Sequence, residues 1–193
     1  MGNYKAVISL VAVFLTFVGY VPYLRDTIKG KTKPHIYSWF IWGFVTALIF
    51  ALQVSAGAGA GSWVTLAAAS VSFLIFFLGL RSGKRNITKT DTLFFILAWI
   101  GLGLWLIVKQ PVLSVTLMVT IEMLGFAPTV RKSWNQPYSE TLFTYELNSF
   151  RHGLSFLALY QYNLVTWLYP VSWSLANGLF SLILIIRRKK IRN

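Results

Sequence analysis

Four polar residues interrupt long apolar stretches of the sequence: Glu122, Arg151, His152 and Asn177. Each falls near the middle of a run long enough to cross a membrane, where an ionisable side chain needs a partner, a cavity or a function. An arginine binds anionic groups, a carboxylate binds an ammonium or a hydroxyl, and an amide bonds polar groups of either kind. These residue types predict a polar site inside an apolar protein.

The roles of these residues stay open on the sequence alone. Glu122 and Arg151 can form a structural ion pair that neutralises both charges. They can instead bind substrate, with Arg151 holding an anionic group and Glu122 an ammonium or hydroxyl, or Glu122 can act as a proton site. His152 is either a titratable group or a hydrogen-bonded structural residue. Asn177 is either a substrate ligand or a helix–helix hydrogen bonder.

Helical periodicity groups these residues with other polar and aromatic side chains, because residues three or four apart share one face of a helix. The four stripes are Glu122, Gly125, Phe126 and Thr129; Tyr145, Asn148, Arg151 and His152; Thr166, Pro170, Trp173, Ser174, Asn177 and Ser181; and His35, Trp39, Trp42 and Thr46. Such faces are expected around a water-filled cavity rather than against lipid. The predicted substrate ligands on these faces are Glu122, Asn148, Arg151 and His152.

The elements that carry these residues are seven apolar runs. Hydrophobic residues make up 56% of the 193 residues and charged residues only 12%, about half the charged share of a soluble domain. A helix of roughly 20 apolar residues spans a bilayer. The predicted spans are 5–24, 36–55, 62–80, 92–108, 111–130, 142–162 and 164–186. The predicted aromatic belts at the membrane surfaces contain Trp63, Trp105, Trp167 and Tyr169.

Basic residues predict the orientation of these helices. Nearly all of the 18 Lys and Arg residues fall in four short segments: 25–35, 81–91, 131–141 and 187–193. The positive-inside rule makes these segments cytoplasmic and places the N-terminus outside and the C-terminus in the cytoplasm. Asp26 and Asp91 are predicted to be solvated there. We expect a multi-pass protein of the plasma (inner) membrane of a prokaryote.

The net charge of +13 follows from this topology. It predicts contact with the lipid bilayer, including anionic lipid at the cytoplasmic face, and no nucleic acid. The first run is predicted to be a retained helix, because it is too long for a signal peptide and lacks a small-residue cleavage site.

A repeat in the sequence indicates how the helices are arranged. "GYVPYLR" at 19–25 is matched by "GFAPTVR" at 125–131, and a short basic loop with a second proline follows each. Both loops are predicted on the same side, so one extra helix must separate two three-helix units. We predict one all-α polytopic membrane domain, 1–193, of seven helices in a 3+1+3 arrangement of parallel repeats. The units are 1–90, the linker helix 91–110, and 111–193.

This layout resembles the PQ-loop superfamily, which includes the SWEET sugar transporters and their half-size SemiSWEET relatives. Cystinosin-type transporters and the KDEL receptor share that fold, and certain vitamin-precursor transporters have a related one. Pro22 and Pro128 match the proline of the family motif, whereas Tyr23 and Thr129 stand where that motif has glutamine. "KPHIYSW" and "QPYSETL" look like the family's cytoplasmic start of each second helix.

The resemblance implies that tryptophan and asparagine bind the substrate, which assigns those roles to Asn177 and Trp173 with Trp39 and Trp42. Phe73 stands where a symmetric repeat would place a second asparagine. With the missing glutamine and the added charges, this points away from a neutral sugar. An amino acid, a small organic anion and a nucleoside-like compound remain as substrate classes.

Three prolines are predicted to form gates or hinges: Pro22, Pro128 and Pro170. A proline inside a helix removes a backbone hydrogen bond and kinks the axis. Paired kinks at matching depth in facing repeats would form a hinge. The alternative for Pro22 and Pro128 is a simple helix end.

Other kinds of chemistry require residues that this sequence does not contain. The chain has no Cys, which excludes disulfides, thiolate metal sites and cysteine nucleophiles. It also has no phosphate-binding glycine loop, no metal-ligand spacing and no nucleophile beside a base, so neither an enzyme nor a cofactor or metal is predicted. The leading hypothesis is a transporter of a small-molecule substrate that works by alternating access between the repeats.

The alternative hypothesis is a membrane receptor or adaptor that uses the fold for binding. Seven helices complete one pathway, so a monomer could transport alone. The sequence also allows a homo-oligomer.

Overall fold

The computed structural model describes residues 3–30, 34, 36–82, 89–138 and 140–192, which fold into helices without a β-strand. The elements are α1 (Asn3–Ile28), α2 (Ile36–Ser55), a 3-10 turn (Gly59–Ser62), α3 (Trp63–Ser82), α4 (Lys89–Leu106), α5 (Pro111–Asn135), α6 (Leu142–Leu157) and α7 (Leu164–Arg192).

Helix length and composition are those of a membrane protein. Four apolar helical stretches in the described residues are long enough to cross a bilayer: Tyr4–Ile28, Ser38–Ser55, Gly59–Leu80 and Leu164–Ile191. Two shorter apolar stretches, Thr92–Leu106 and Pro111–Phe126, accompany them. Large apolar side chains such as Phe14 and Leu179 point outward, as they do in proteins that face lipid.

The sixth helix is shorter than its predicted span of 142–162. It has 16 residues and ends at Leu157, which gives a length of roughly 24 Å at 1.5 Å per residue. The chain then turns at 158–163, where it packs against the loop between α2 and α3.

Two of the predicted hinge prolines lie within helices rather than at helix ends. α1 continues past Pro22 to Ile28, and α5 continues through position 128 to Asn135. The helix-end alternative is therefore wrong for both, and the segments predicted as loops at 25–35 and 131–141 begin as helix. Pro170 also lies inside a helix, α7.

The helices pack as two groups of three, here named the first trio (α1–α3) and the second trio (α5–α7). In the first trio α3 packs against both α1 and α2, and in the second α7 packs against both α5 and α6. Between the trios, α1 packs on α6 and α2 packs on α5. If the two trios are exchanged, so that α1 takes the place of α5, α2 of α6 and α3 of α7, each of these helix contacts becomes another contact of the same set. α4 packs on α5 and α2.

One end of the bundle is closed by contact between two turns. The glycine hairpin (56–62) joins α2 to α3, and the second turn (158–163) joins α6 to α7. Hydrogen bonds between these regions run from Tyr160 N to Ala58 O (3.0 Å), from Ser155 Oγ to Gly61 O (2.8 Å) and from Asn163 Nδ2 to Ala56 O (3.1 Å). We name this the glycine end. The opposite end, where α1, α5 and α7 finish, is the basic end.

The close approach at the glycine end depends on missing side chains. A Cβ at Gly61 would lie 2.9 Å from the backbone N and Cα of Leu159. A Cβ at Gly59, where φ is +60°, would lie 2.5 Å from the Tyr160 ring. Backbone atoms cannot move aside as a flexible side chain can, so Gly61 sets the distance between the two turns.

Replacing Gly61 with alanine should destabilise the protein, because the new methyl group meets backbone. Overpacking of this kind costs about 1–3 kcal/mol, so the melting temperature in detergent, followed by tryptophan fluorescence, should fall. Gly103→Ala on α4 is the matched control, since its Cβ would meet nothing within 4 Å. Helix propensity there favours alanine by roughly 1 kcal/mol. Equal effects of the two changes would contradict the packing argument.

Candidate functional site

A cavity of ≈ 420 Å³ lies between the two trios. Residues of α1, α2, α3, α5, α6 and α7 line it, from Thr46 and Tyr169 in the middle of the bundle to Asp26 and Glu140 at the basic end. Its volume falls in the range of about 300–1,000 Å³ that is typical of small-molecule sites. The cavity therefore approaches the middle of the bundle from the basic end.

The structure brings all eight predicted ligand residues to this cavity. Those residues are Trp39 and Trp42 on α2, Glu122 on α5, Asn148, Arg151 and His152 on α6, and Trp173 and Asn177 on α7. Of the predicted hinge prolines, Pro22 lines the cavity, whereas Pro170 is buried inside α7 away from it. The side chain of Pro128 and residue His35 lie outside the described part of the structure.

Glu122 is buried, with 3% of its surface exposed, and three helices meet at its carboxylate. Thr46 Oγ1 of α2 donates a hydrogen bond to Oε1 at 2.7 Å. Trp173 Nε1 of α7 donates to Oε2 at 2.7 Å. Both donors are neutral, so they orient the carboxylate without balancing its charge.

Arg151 is equally buried and is also held by neutral groups. Its Nε donates to Asn148 Oδ1 at 2.8 Å, and its Nη1 donates to Thr16 Oγ1 of α1 at 3.2 Å. The ion pair between Glu122 and Arg151, one of the structural interpretations of the sequence, does not form. The Glu122 carboxyl and the Arg151 guanidinium thus line one cavity without pairing, and each bonds a threonine of the first trio.

The Arg151–Thr16 and Thr46–Glu122 hydrogen bonds lie at equivalent positions when the two trios are exchanged. Thr46 on α2 bonds Glu122 on α5, and Arg151 on α6 bonds Thr16 on α1. Thr16 lies six residues before Pro22, as Glu122 lies six before Pro128. The two hydrogen bonds therefore link the trios at equivalent places, with both charges on the second trio.

His152 and Asn177 each present a polar atom that has no hydrogen-bond partner within the described part of the chain. His152 stacks on Trp173, with ring centroids 6.3 Å apart and an interplanar angle of 19°, and its Nδ1 is buried and unbonded. Asn177 Nδ2 donates to Trp173 O at 2.7 Å within its own helix, which leaves Oδ1 unbonded. Asn177 therefore does not make the helix–helix bond that its structural interpretation requires. Buried polar atoms of this kind usually have a partner, such as water or a ligand.

Aromatic rings form much of the remaining wall. Trp39 and Trp42 meet edge to face, with centroids 5.4 Å apart, and Trp39 Nε1 donates to Tyr23 Oη at 3.2 Å. Phe126 packs edge to face on Trp173 at 5.5 Å. The cavity therefore combines a few polar groups with flat apolar surfaces.

Two lining residues were misassigned on the sequence, and one residue that bonds a lining side chain was missed. Tyr169, predicted in a surface belt, is 3% exposed and packs against His152, and Asp26, predicted to be solvated in a loop, lies on α1 at the cavity mouth. Thr16 was missed because it lies in an apolar run. Thr16, Gly19, Tyr20 and Tyr23 are three or four residues apart, so they share one face of α1. The periodicity used for the other helices would have identified this face.

Comparison with known proteins adds no assignment to this geometry. The chain matches no protein-family model, and no curated protein or solved structure matches it either. The functional argument therefore depends on the cavity and its side chains.

Removing the indole N–H of Trp173 should destabilise the bundle, because Glu122 Oε2 would lose its donor. Trp173→Phe and Thr46→Val each remove one hydrogen bond to the carboxylate, a loss of about 1.5–3 kcal/mol when the group is charged. The melting temperature of detergent-purified protein, measured by circular dichroism, should fall for both variants.

The matched control is Trp63→Phe, since Trp63 is 40% exposed at the surface and should change stability by no more than about 0.5 kcal/mol. Equal losses for the two tryptophan substitutions would show that indole area, rather than the bond to Glu122, accounts for the effect.

Proposed function

We propose that the protein is a small-solute transporter that works by alternating access between its two trios, with the substrate at mid-membrane. In this proposal all seven α-helices span the membrane in a 3+1+3 arrangement of parallel repeats, and α4 links the repeats. The N-terminus is outside, and the C-terminus and the basic end are cytoplasmic. The protein acts in the plasma membrane of a prokaryote.

The observation that carries the proposal is access from one side only. The cavity reaches buried polar groups from the basic end, while hydrogen bonds between the glycine hairpin and the second turn close the other end. A polar cavity that enters an apolar bundle from one end, with the other end closed by contacts between turns, is the form expected of one state in alternating access. Opening the glycine end while the basic end closes would expose the same groups to the other side.

The packing of the helices supports two moving units. Each contact between the trios has a counterpart when the trios are exchanged, as expected for repeats that rock against each other around a fixed site. Pro22 and position 128 lie within the first helix of each trio. These positions can supply hinges, because proline removes a backbone hydrogen bond where a helix must bend.

Uptake into proteoliposomes tests the transport function directly. Radiolabelled L-phenylalanine, L-leucine, D-glucose, uridine and succinate form the panel, and at least one should enter faster than into protein-free liposomes. Asn177→Ala should slow that uptake about fivefold or more, because a buried hydrogen-bonding group is removed from the cavity. Asn135→Ala, the same substitution at an exposed position, is the control. A compound that raises the melting temperature but is not taken up would favour a receptor.

A disulfide across the glycine end should stop transport if that end must open. A Cβ at Gly57 would lie 3.6 Å from Cβ of Gln161, within the range of about 3.5–4.5 Å that a disulfide needs. The chain has no Cys of its own, so Gly57→Cys with Gln161→Cys gives a clean background. Oxidation should abolish uptake of the transported panel compound, and dithiothreitol should restore it.

The control disulfide joins two helices of the same trio. A Cβ at Gly178 would lie 4.0 Å from Cβ of Ser149, so Ser149→Cys with Gly178→Cys links α6 to α7 without bridging the trios. Oxidation of this pair should leave uptake active. Full uptake by the oxidised Gly57–Gln161 pair would show that the glycine end does not open.

A further inference from the structure

The cavity contains one buried acidic and one buried basic side chain that do not pair with each other. Glu122 and Arg151 both line it, both are 3% exposed, and neither has an oppositely charged partner among the described residues. Leaving a buried charge without a counter-charge is costly, and removing one partner of a buried pair exposes the size of that cost. A ligand that carries one charge of each sign would balance both residues at once.

Hydrogen-bond acceptors gather around Trp173. Its Nε1 bonds Glu122, its backbone O bonds Asn177, and its indole stacks on His152. Three acceptors therefore belong to residues that contact Trp173: the Glu122 carboxylate, the unbonded Oδ1 of Asn177 and the unbonded Nδ1 of His152, which accepts in one neutral tautomer. An ammonium group has three N–H donors, no acceptor and an affinity for the face of an indole.

Donors lie at Arg151, next to His152 in the chain. A guanidinium has five N–H groups, and the bonds to Asn148 and Thr16 involve Nε and Nη1. Nη2 makes no hydrogen bond within the described residues. Arginine recognises a carboxylate through such a fork of donors. The cavity thus offers an ammonium-binding side at Trp173 and a carboxylate-binding side at Arg151.

The rest of the wall suits a flat apolar group. Trp39 and Trp42 form one edge-to-face pair, and Phe126 with Trp173 forms another. Aromatic rings prefer offset or edge-to-face arrangements over a face-to-face sandwich, so a further aromatic ring can pack against these walls. The volume of ≈ 420 Å³ is that of a site for a single small molecule.

We infer that the substrate is a zwitterion, an α-amino acid with an aromatic or other large apolar side chain. This inference rests on the proposed function. Its ammonium is bound at Glu122, Asn177 and His152, its carboxylate at Arg151, and its side chain between the aromatic walls. A neutral sugar would leave both buried charges without a counter-charge. An organic anion would leave Glu122 without a counter-charge, and an amine would leave Arg151 without one.

Isothermal titration calorimetry of the full chain in detergent tests the inference with three ligands of one shape. L-Phenylalanine has both charged groups, 3-phenylpropanoate lacks the ammonium, and 2-phenylethylamine lacks the carboxylate. We expect L-phenylalanine to bind at least about tenfold more tightly than either analogue, since each missing group leaves a buried charge without its partner. L-Alanine should bind about tenfold more weakly than L-phenylalanine, because it leaves the aromatic walls without contact.

Two substitutions should each remove one half of this selectivity. Glu122→Gln should abolish the preference for L-phenylalanine over 3-phenylpropanoate and keep the preference over 2-phenylethylamine. Arg151→Gln should do the reverse. Glu146→Gln, the same change at an exposed position outside the cavity, should keep both preferences. A general loss of folding cannot produce opposite changes in two ratios, and the wild-type ratios decide the inference if a variant does not fold.

The outcomes separate this inference from the proposed function. Binding and uptake of D-glucose, uridine or succinate, with no binding of L-phenylalanine or L-leucine, would overturn the zwitterion and leave the transporter standing. Equal affinity of wild-type protein for L-phenylalanine and both analogues would also overturn it. Absence of binding and uptake for the whole panel would contradict both.

Discussion

Two hydrogen bonds across the middle of the bundle, from Thr46 to Glu122 and from Arg151 to Thr16, are the contacts on which the rest of the structure depends. Each joins a charge on the second trio to a hydroxyl on the first. A charge buried in an apolar bundle must be solvated by something, so the trios have to meet at this depth. Because hydroxyls solvate the charges without neutralising them, the space beside them stays polar and open.

The two ends of the bundle differ because they pack differently. At the glycine end, missing side chains let two turns approach until backbone groups of 58 and 160 bond directly. At the basic end, Trp39 and Tyr23 pack against each other and line the cavity. The close contact at the glycine end therefore follows from the absence of side chains there.

The sequence predicted which face of a helix carries its polar residues, but it did not predict where the helices end. Helical periodicity placed Glu122, Arg151 and Asn177 on the polar faces of their helices, because residues three or four apart share a face whatever the helix packs against. The end of α6 at Leu157 depends on where the second turn meets the glycine hairpin, a contact distant in sequence. α1 continues past Pro22, because the loss of one hydrogen bond need not end a long apolar helix.

The sequence by itself determined the all-helical membrane class, the apolar runs and the polar faces, since composition and periodicity are local properties. Only the tertiary structure decided which groups meet: Arg151 bonds Thr16 rather than Glu122, and Tyr169 is buried against His152 rather than placed in a surface belt. Such pairings depend on the register and rotation of neighbouring helices. Those are set by packing between residues far apart in the chain, so no local pattern specifies them.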